Sequence, residues 1–334
     1  MSLLGPASLV VVLAFSSIGR VDPTVPRPVF TVQDPRIDEA SGLVDLGPGD
    51  GQGLMVTTND SGDAGIVYVL DGSGRTVGTT RFGESRDAES LAPATDGEVW
   101  VGDTGDNSLT REDIVVRKVP VGRGDRTVTV PAYRLSYPDG PHDAETLLVD
   151  PRTGRLYVVT KSLFASGVYA APRTLDPDRV NRLTKVAAVS LTATDGAVFP
   201  DGGHVILRGY GSANVYTFPA FHLVGGFRLP GQPQGESISI GPRDRIRIGS
   251  EGKRQPVLRI RLPAPLAAKL APARSATPSP SGADDTKQRS GETGSVSKGT
   301  EEWVFWSVFG ALAVAMAGMV TAARALRRRQ GPDA

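Results

Sequence analysis

Asp87-Ala88-Glu89-Ser90-Leu91 and Asp143-Ala144-Glu145-Thr146-Leu147 are two copies of one short pattern, an acid followed by small residues and then by apolar ones that open a strand. Asp38-Glu39-Ala40-Ser41-Gly42-Leu43, Thr194-Asp195-Gly196-Ala197-Val198 and Gln234-Gly235-Glu236-Ser237-Ile238 repeat it. The key acids, Glu39, Glu89, Glu145, Asp195 and Glu236, lie 50, 56, 50 and 41 residues apart. A period of this size marks a chain of similar supersecondary units. Behind each acid the same order of runs follows. A second comes at 54–58, 98–102, 155–160, 204–208 and 245–249, and a third at 66–70, 114–119, 167–170, 214–218 and 257–262. A fourth closes most units, at 77–82, 128–135, 183–189 and 221–229. The runs alternate, or are rich in β-branched and aromatic residues, as half-buried strands are.

Four short antiparallel strands every 40–55 residues describe a propeller blade. Residues 28–263 number 236, about 47 for each of five blades; six would leave about 39, and a sixth acidic pattern is absent. The expectation is therefore an all-β, five-bladed propeller. Its fifth unit has no fourth run after Leu262, and Pro28-Val29-Phe30-Thr31-Val32 belongs to no unit. A strand near Phe30 paired with one near Leu258 would close the ring and remove two open edges.

Outside this body both chain ends address a membrane. Residues 1–20 read as a secretory signal: an apolar run from Leu9 to Phe15, then the small residues Ser16, Ser17 and Gly19, with no Lys or Arg ahead of the run. Residues 302–324 read as a transmembrane helix, containing 21 uncharged residues from Trp303 to Ala323. At about 1.5 Å per residue that is about 31 Å, the thickness of a hydrocarbon core. Trp303 and Trp306 mark one interface, and Arg324, Arg327, Arg328 and Arg329 lead into a basic tail, 325–334, which the positive-inside rule puts in the cytoplasm. Between body and span, residues 264–301 are rich in Ser, Pro, Gly and charge, the composition of a disordered stalk. The topology expected is a single-pass plasma-membrane protein with the propeller outside.

Composition narrows the chemistry. Lys+Arg 37 against Asp+Glu 36 leaves +1, which excludes the broad positive field of a general nucleic-acid binder. Cys 0 removes disulfides, thiol catalysis, Cys-type zinc sites and iron–sulfur clusters, and His 3 removes a His-rich metal cage. Neither G-x-S-x-G, G-x-x-x-x-G-K-[ST] nor H-E-x-x-H occurs. Carboxylates, Lys/Arg, hydroxyls and backbone remain.

The first strand of each blade lines the central channel, so Glu39, Glu89, Glu145, Asp195 and Glu236 are expected as a ring at one mouth. Carboxylates about 6 Å apart repel by on the order of 3 kcal/mol at an effective dielectric near 20. Protons, basic partners or a cation must relieve them. Hard oxygen ligands suit Ca²⁺, which makes calcium the expected cofactor of these five residues. The ends of the second strands add Asp60, Asp103, Asn107, Lys161, Arg208 and Glu251 as the expected ligand-binding set, with Lys161 and Arg208 suited to a phosphate or carboxylate. The partner would be a small anionic ligand, or a surface protein or glycan. Other readings stay open: two carboxylates acting on a glycosidic bond, or acids that cap strand-end N–H groups and pair with a neighbouring Arg as staples between blades. Asn59-Asp60-Ser61-Gly62-Asp63 opens like a calcium loop without the Glu expected at its twelfth position.

Val101-Gly102-Asp103-Thr104-Gly105-Asp106-Asn107 with Arg111, Tyr137-Pro138-Asp139-Gly140-Pro141-His142-Asp143-Ala144-Glu145, Gln234-Gly235-Glu236 and Gly249-Ser250-Glu251-Gly252 resemble a group of exported actinobacterial proteins. Those are described as WD40-like, propeller-containing membrane proteins, and the resemblance spans most of residues 35–262. More distantly, the Asp-Ala-Glu starts look like those of phytase-like propellers, which are linked to calcium and phosphate esters. That resemblance implies a calcium-dependent phosphoesterase as the alternative to a binding module. True propeller phytases have six blades, where five are expected here.

Overall fold

Val, Ile, Thr and Tyr fill the runs read as strands, and the computed structural model, which describes residues 26–47, 53–60, 65–95 and 97–271, folds them into five small sheets. Strand β1 (Arg27–Thr31) precedes blade 1, which is β2 (Ala40–Asp45), β3 (Met55–Asn59), β4 (Ile66–Leu70) and β5 (Thr76–Arg81). Blade 2 is β6 (Ala88–Pro93), β7 (Glu98–Asp103), β8 (Ile114–Pro120) and, beyond the two-residue β9 (Arg126–Thr127), β10 (Ala132–Ser136). Blade 3 is β11 (Ala144–Val149), β12 (Leu156–Thr160), β13 (Ser166–Ala170) and, after β14 (Val180–Arg182), β15 (Thr184–Val189). Blade 4 is β16 (Asp195–Val198), β17 (His204–Arg208), β18 (Ser212–Thr217) and β19 (Leu223–Arg228). Blade 5 is β20 (Ser237–Gly241), β21 (Arg245–Gly249) and β22 (Pro256–Ile260). The chain is a five-bladed β-propeller.

Closure takes the expected form. β1 pairs antiparallel with β22, with Pro28 opposite Leu258 and Phe30 opposite Val257. Neighbouring innermost strands pack side by side around the ring, β20 meeting β2 at the seam. Each seam is an apolar layer. Val56, Val67 and Val69 of blade 1 meet Leu91 and Val101 of blade 2, and Val205 and Leu207 of blade 4 meet Val159 and Val168 of blade 3. Burying each such side chain stabilises by about 1.5–3 kcal/mol. Alternate residues of one strand serve opposite seams: Ile206 packs toward blade 5 while Val205 and Leu207 pack toward blade 3.

Three local features differ from the expectation. The fourth run read at 128–135 forms a strand only from Ala132, as β10, which completes blade 2, and the short β9 just ahead of the run pairs parallel with β5 of blade 1. β14 likewise pairs parallel with β10 of the preceding blade. Both loops thus cover a neighbour's outer edge, and strands of two or three residues carry no readable alternation. Residues assigned to the stalk form a helix, α1 (Ala264–Leu270), entered through Pro263 and Pro265. Its Leu266 is buried and Lys269 Nζ donates to the Val224 carbonyl at 3.1 Å. Among the described residues no helix is long and apolar enough to cross a membrane. The signal, the stalk from 272, the span and the tail lie outside the described residues.

Candidate functional site

Register fixes which residues are equivalent around the channel. Leu43, Leu91, Leu147, Ala197 and Ile238 face Thr57, Val101, Val158, Ile206 and Ile248 on the second strands. Two residues before each stand Ser41, Glu89, Glu145, Asp195 and Glu236. By pairing, the unpaired bulge residue of blade 1 is Gly42, where blades 2 and 3 have Glu89 and Glu145; counted along the chain, the row is four acids and Ser41. Glu39 lies two residues earlier, level with Asp87 and Asp143, because the first blade reads Glu-Ala-Ser-Gly-Leu where the next two read Asp-Ala-Glu. It is exposed, and its carbonyl accepts the Asp60 N–H at 2.8 Å.

Glu89 and Glu145 sit at β-bulges, each the unpaired extra residue of its inner strand. A bulge breaks the pleat and re-aims its side chain, which frees these two from the blade face. Around Glu89 one carboxylate oxygen each from Asp60, Asp87 and Glu89 lies within 4.8 Å of the others. Two oxygens on opposite sides of a calcium ion, about 2.4 Å from it, would be about 4.8 Å apart. The spacing fits a shared cation. Asp60 Oδ1, Asp87 Oδ1 and Glu145 Oε2 are buried without a hydrogen-bond partner among the described residues. A buried polar atom in that state costs about 1–3 kcal/mol, more when charged.

The scaffold behind this cluster is specific. Asp103 accepts the N–H groups of Arg86 and Asp87, both at 3.1 Å, and pairs with Arg111 Nη1 at 2.9 Å. Arg111 Nη1 also donates to the Gly105 carbonyl at 2.9 Å. A Cβ on Gly105 would collide with the Asp87 carboxylate and come within 2.9 Å of Glu89 Cγ, so only glycine lets the loop pass. Ser41 Oγ donates to the Glu89 carbonyl at 2.6 Å. The Asp106 N–H donates to Asp143 Oδ1 at 2.8 Å, tying the loops of blades 2 and 3.

Charge crowding shifts these groups. Burial, then the hydrogen bond shared with Asp60, then the charges of Asp60, Asp143 and Asp103 push Asp87 up to about 7. Glu89 rises well above the carboxylate range, through burial first and then Glu145, Asp60, Asp87 and Glu236. Across the mouth, burial and a hydrogen bond with Glu236 push Glu251 up to about 9. Asp87, beside Asp60, and Glu251, beside Glu236, thus have their ionised forms disfavoured. Lys161 supplies the opposite charge. Burial works against its ammonium, but Glu145, which accepts a hydrogen bond from it, more than offsets this. The Lys161 Nζ also lies 5.7 Å from the Tyr210 ring centroid.

Of the residues expected in the site, Asp60, Glu89, Glu145, Lys161, Glu236 and Glu251 come together at the mouth. Asp195 and Arg208 do not join them. Asp195 is fully buried, its Oδ1 accepting from the Gly196 N–H and its Oδ2 from the Ile238 N–H, each at 2.7 Å. Arg208, also fully buried, donates to the carbonyls of Ser237 at 3.0 Å and Gly249 at 3.1 Å. Together they staple blade 4 to blade 5, so the basic sector at the mouth is Lys161 alone of the two. Asp103 braces the Asp87 loop, and Asn107 is exposed in the turn beyond it. Sequence reading missed Asp87, Ser41, Gly105 and Tyr210. The first was legible, since in Asp-Ala-Glu the two acids are two residues apart and share one side of a strand.

No protein-family model and no curated protein sequence matches the chain. Solved structures do. A gluconolactonase of Xanthomonas campestris is 15% identical with a TM-score of 0.44, over 71% of this chain and 89% of that one. A glucose dehydrogenase is 10% identical with a TM-score of 0.44, over 71% of this chain and 99% of that one.

Proposed function

We propose that this propeller is a calcium-dependent binding module, held outside the cell by the apolar segment 302–324. One observation carries the reading: three carboxylate oxygens, from Asp60, Asp87 and Glu89, within 4.8 Å of one another at the channel mouth. Calcium there would satisfy the buried Asp60 and Asp87 oxygens and favour their ionised forms. Lys161 would then hold an anionic group, phosphate or carboxylate, of a ligand seated over the mouth. The uncharged 21-residue run followed by four arginines supports the tether, and the resemblance to exported actinobacterial proteins supports the compartment.

Melting the full chain in EDTA and in excess calcium tests the metal. At a Kd of about 0.1–1 mM, common for extracellular modules, 10 mM calcium stabilises by about 1.4–2.7 kcal/mol. For a domain of this size that raises the melting temperature by about 3–10 °C. An unmoved midpoint would remove the calcium reading. A calcium-dependent phosphoesterase is the second reading, favoured by the Glu145–Lys161 pair beside the cation cluster. Turnover of p-nitrophenyl phosphate that needs calcium and disappears in Glu145→Gln and Lys161→Ala would establish it. No turnover by the parent chain leaves the binding module.

A further inference from the structure

Blade 5 carries a second concentration of charge, of the opposite sign. Register sets Arg247 of β21 opposite Arg259 of β22, and Arg259 opposite Arg27 of β1. Three arginines therefore stand side by side on one face of three adjacent strands. Arg245, two residues before Arg247, shares that face by alternation. The face turns toward blade 1, since Val257, two residues before Arg259, packs with Met55 and Tyr68. Directly opposed like charges destabilise a sheet, so such a row calls for compensation. One acid supplies part of it: Asp45, whose carboxylate is buried, pairs with Arg247 and lies 3.8 Å from Arg245. Arg245 Nε is buried without a partner among the described residues. Arg27, Arg259 and the following Arg261 are exposed.

Position narrows the partner. Arg245 faces Gly241, at the end of β20 remote from Glu236 and the acidic mouth. The described chain enters the propeller at Arg27 and leaves its last strand at Ile260, both beside these arginines, before α1 carries it along β19 of blade 4 to residue 271. Residues 272–301 separate the described body from the apolar 302–324 segment. Thirty residues can reach no further than about 100 Å. We propose that this arginine face docks on an anionic phospholipid surface, with Arg27, Arg259 and Arg261 meeting lipid phosphates and the acidic mouth held away from the bilayer. Guanidinium groups bind phosphate bidentately, and a short tether keeps face and lipid at high effective concentration. The inference rests on the tether proposed above.

The chain has no cysteine, so Val29→Cys on β1, where the native side chain is 37% exposed, gives a unique labelling site. The labelled full chain is placed in vesicles of phosphatidylcholine alone, or of phosphatidylcholine and phosphatidylglycerol at seven to three, each with a headgroup-borne quencher. Quenching should be about threefold stronger with phosphatidylglycerol, and fall to the phosphatidylcholine level in high salt. It should fall equally in the triple variant Arg27→Gln, Arg259→Gln, Arg261→Gln. A label at Leu163→Cys, in a loop on the mouth side where the native side chain is 72% exposed, should show no dependence on lipid. Equal quenching of the Val29→Cys label in both vesicles, or a gain that survives the triple variant, overturns the docking. An alkaline carbonate wash separates the two readings. Retention on vesicles without lipid-dependent quenching keeps the tether and sinks the docking. Loss on washing sinks the tether, while arginine-dependent quenching before the wash still supports the face.

Discussion

Glu89 in blade 2 and Asp195 in blade 4 each stand two residues before the strand residue that faces Val101 or Ile206, and they do different work. Glu89 sits on a bulge, in a cluster of carboxylates, with its ionised form disfavoured. Asp195 is one methylene shorter, sits in an unbulged strand, and accepts two backbone N–H groups with Arg208 nearby. An acid with its lone pairs filled by the neighbouring blade is a staple; one surrounded by other acids has its ionised form disfavoured. A repeat brings an acid to the start of each inner strand; the bulge and the partners decide where it points and what it does.

The largest separation of the two should come from Arg208→Ala. It strips a buried guanidinium from the carbonyls of Ser237 and Gly249 and leaves Asp195 without its cation. Breaking one side of such a buried arrangement costs about 3–5 kcal/mol, which chemical denaturation would read. Glu89→Gln, in the acid of the other class, should leave metal-free stability within about 1 kcal/mol, since glutamine mimics the protonated acid already favoured there. If both variants collapse alike, the distinction fails.

Next comes Gly105→Ala, which drives a methyl group into Asp87 and Glu89. It should abolish the calcium-dependent gain of about 1.4–2.7 kcal/mol, seen as loss of the melting shift. Smaller again is the response to pH. Asp87 moves from 3.8 to about 7 and Glu251 from 4.5 to about 9 on folding, so across that interval the native state binds more protons than the unfolded one. Stability without metal should then fall as pH rises from about 4 to about 9, and excess calcium should flatten the fall. Melting curves in EDTA across this range check the sign; a rise would contradict it. The smallest effect expected is that of Arg259→Gln, which relieves a cross-strand like-charge contact and should change stability by under about 0.5 kcal/mol, never lowering it by more.

Much of this was legible in the chain. The spacing of the acids defined five blades, and the orphan run at Phe30 led to its pairing with β22, because closure leaves one unit a strand short. Six of the eleven candidate residues come together at the mouth. Those that do not, above all Asp195, Arg208 and Asp103, are taken up by partners from another blade or loop, which no local pattern announces. Glu39 falls outside the row because blade 1 carries Ser41 two residues before its leucine and Gly42 at the bulge. The arginine row was visible as alternation in Arg245-Ile246-Arg247-Ile248 and Arg259-Ile260-Arg261. Its convergence on one face depends on the register of three strands, one of them from the far end of the chain.

Calorimetric titration of calcium into the EDTA-stripped full chain at pH 8, beside Glu89→Gln, tests the central claim most directly. The account predicts a single site per chain in the parent, with a Kd of about 0.1–1 mM, and its loss in the variant. No heat of binding in the parent, or binding that Glu89→Gln leaves intact, would contradict it.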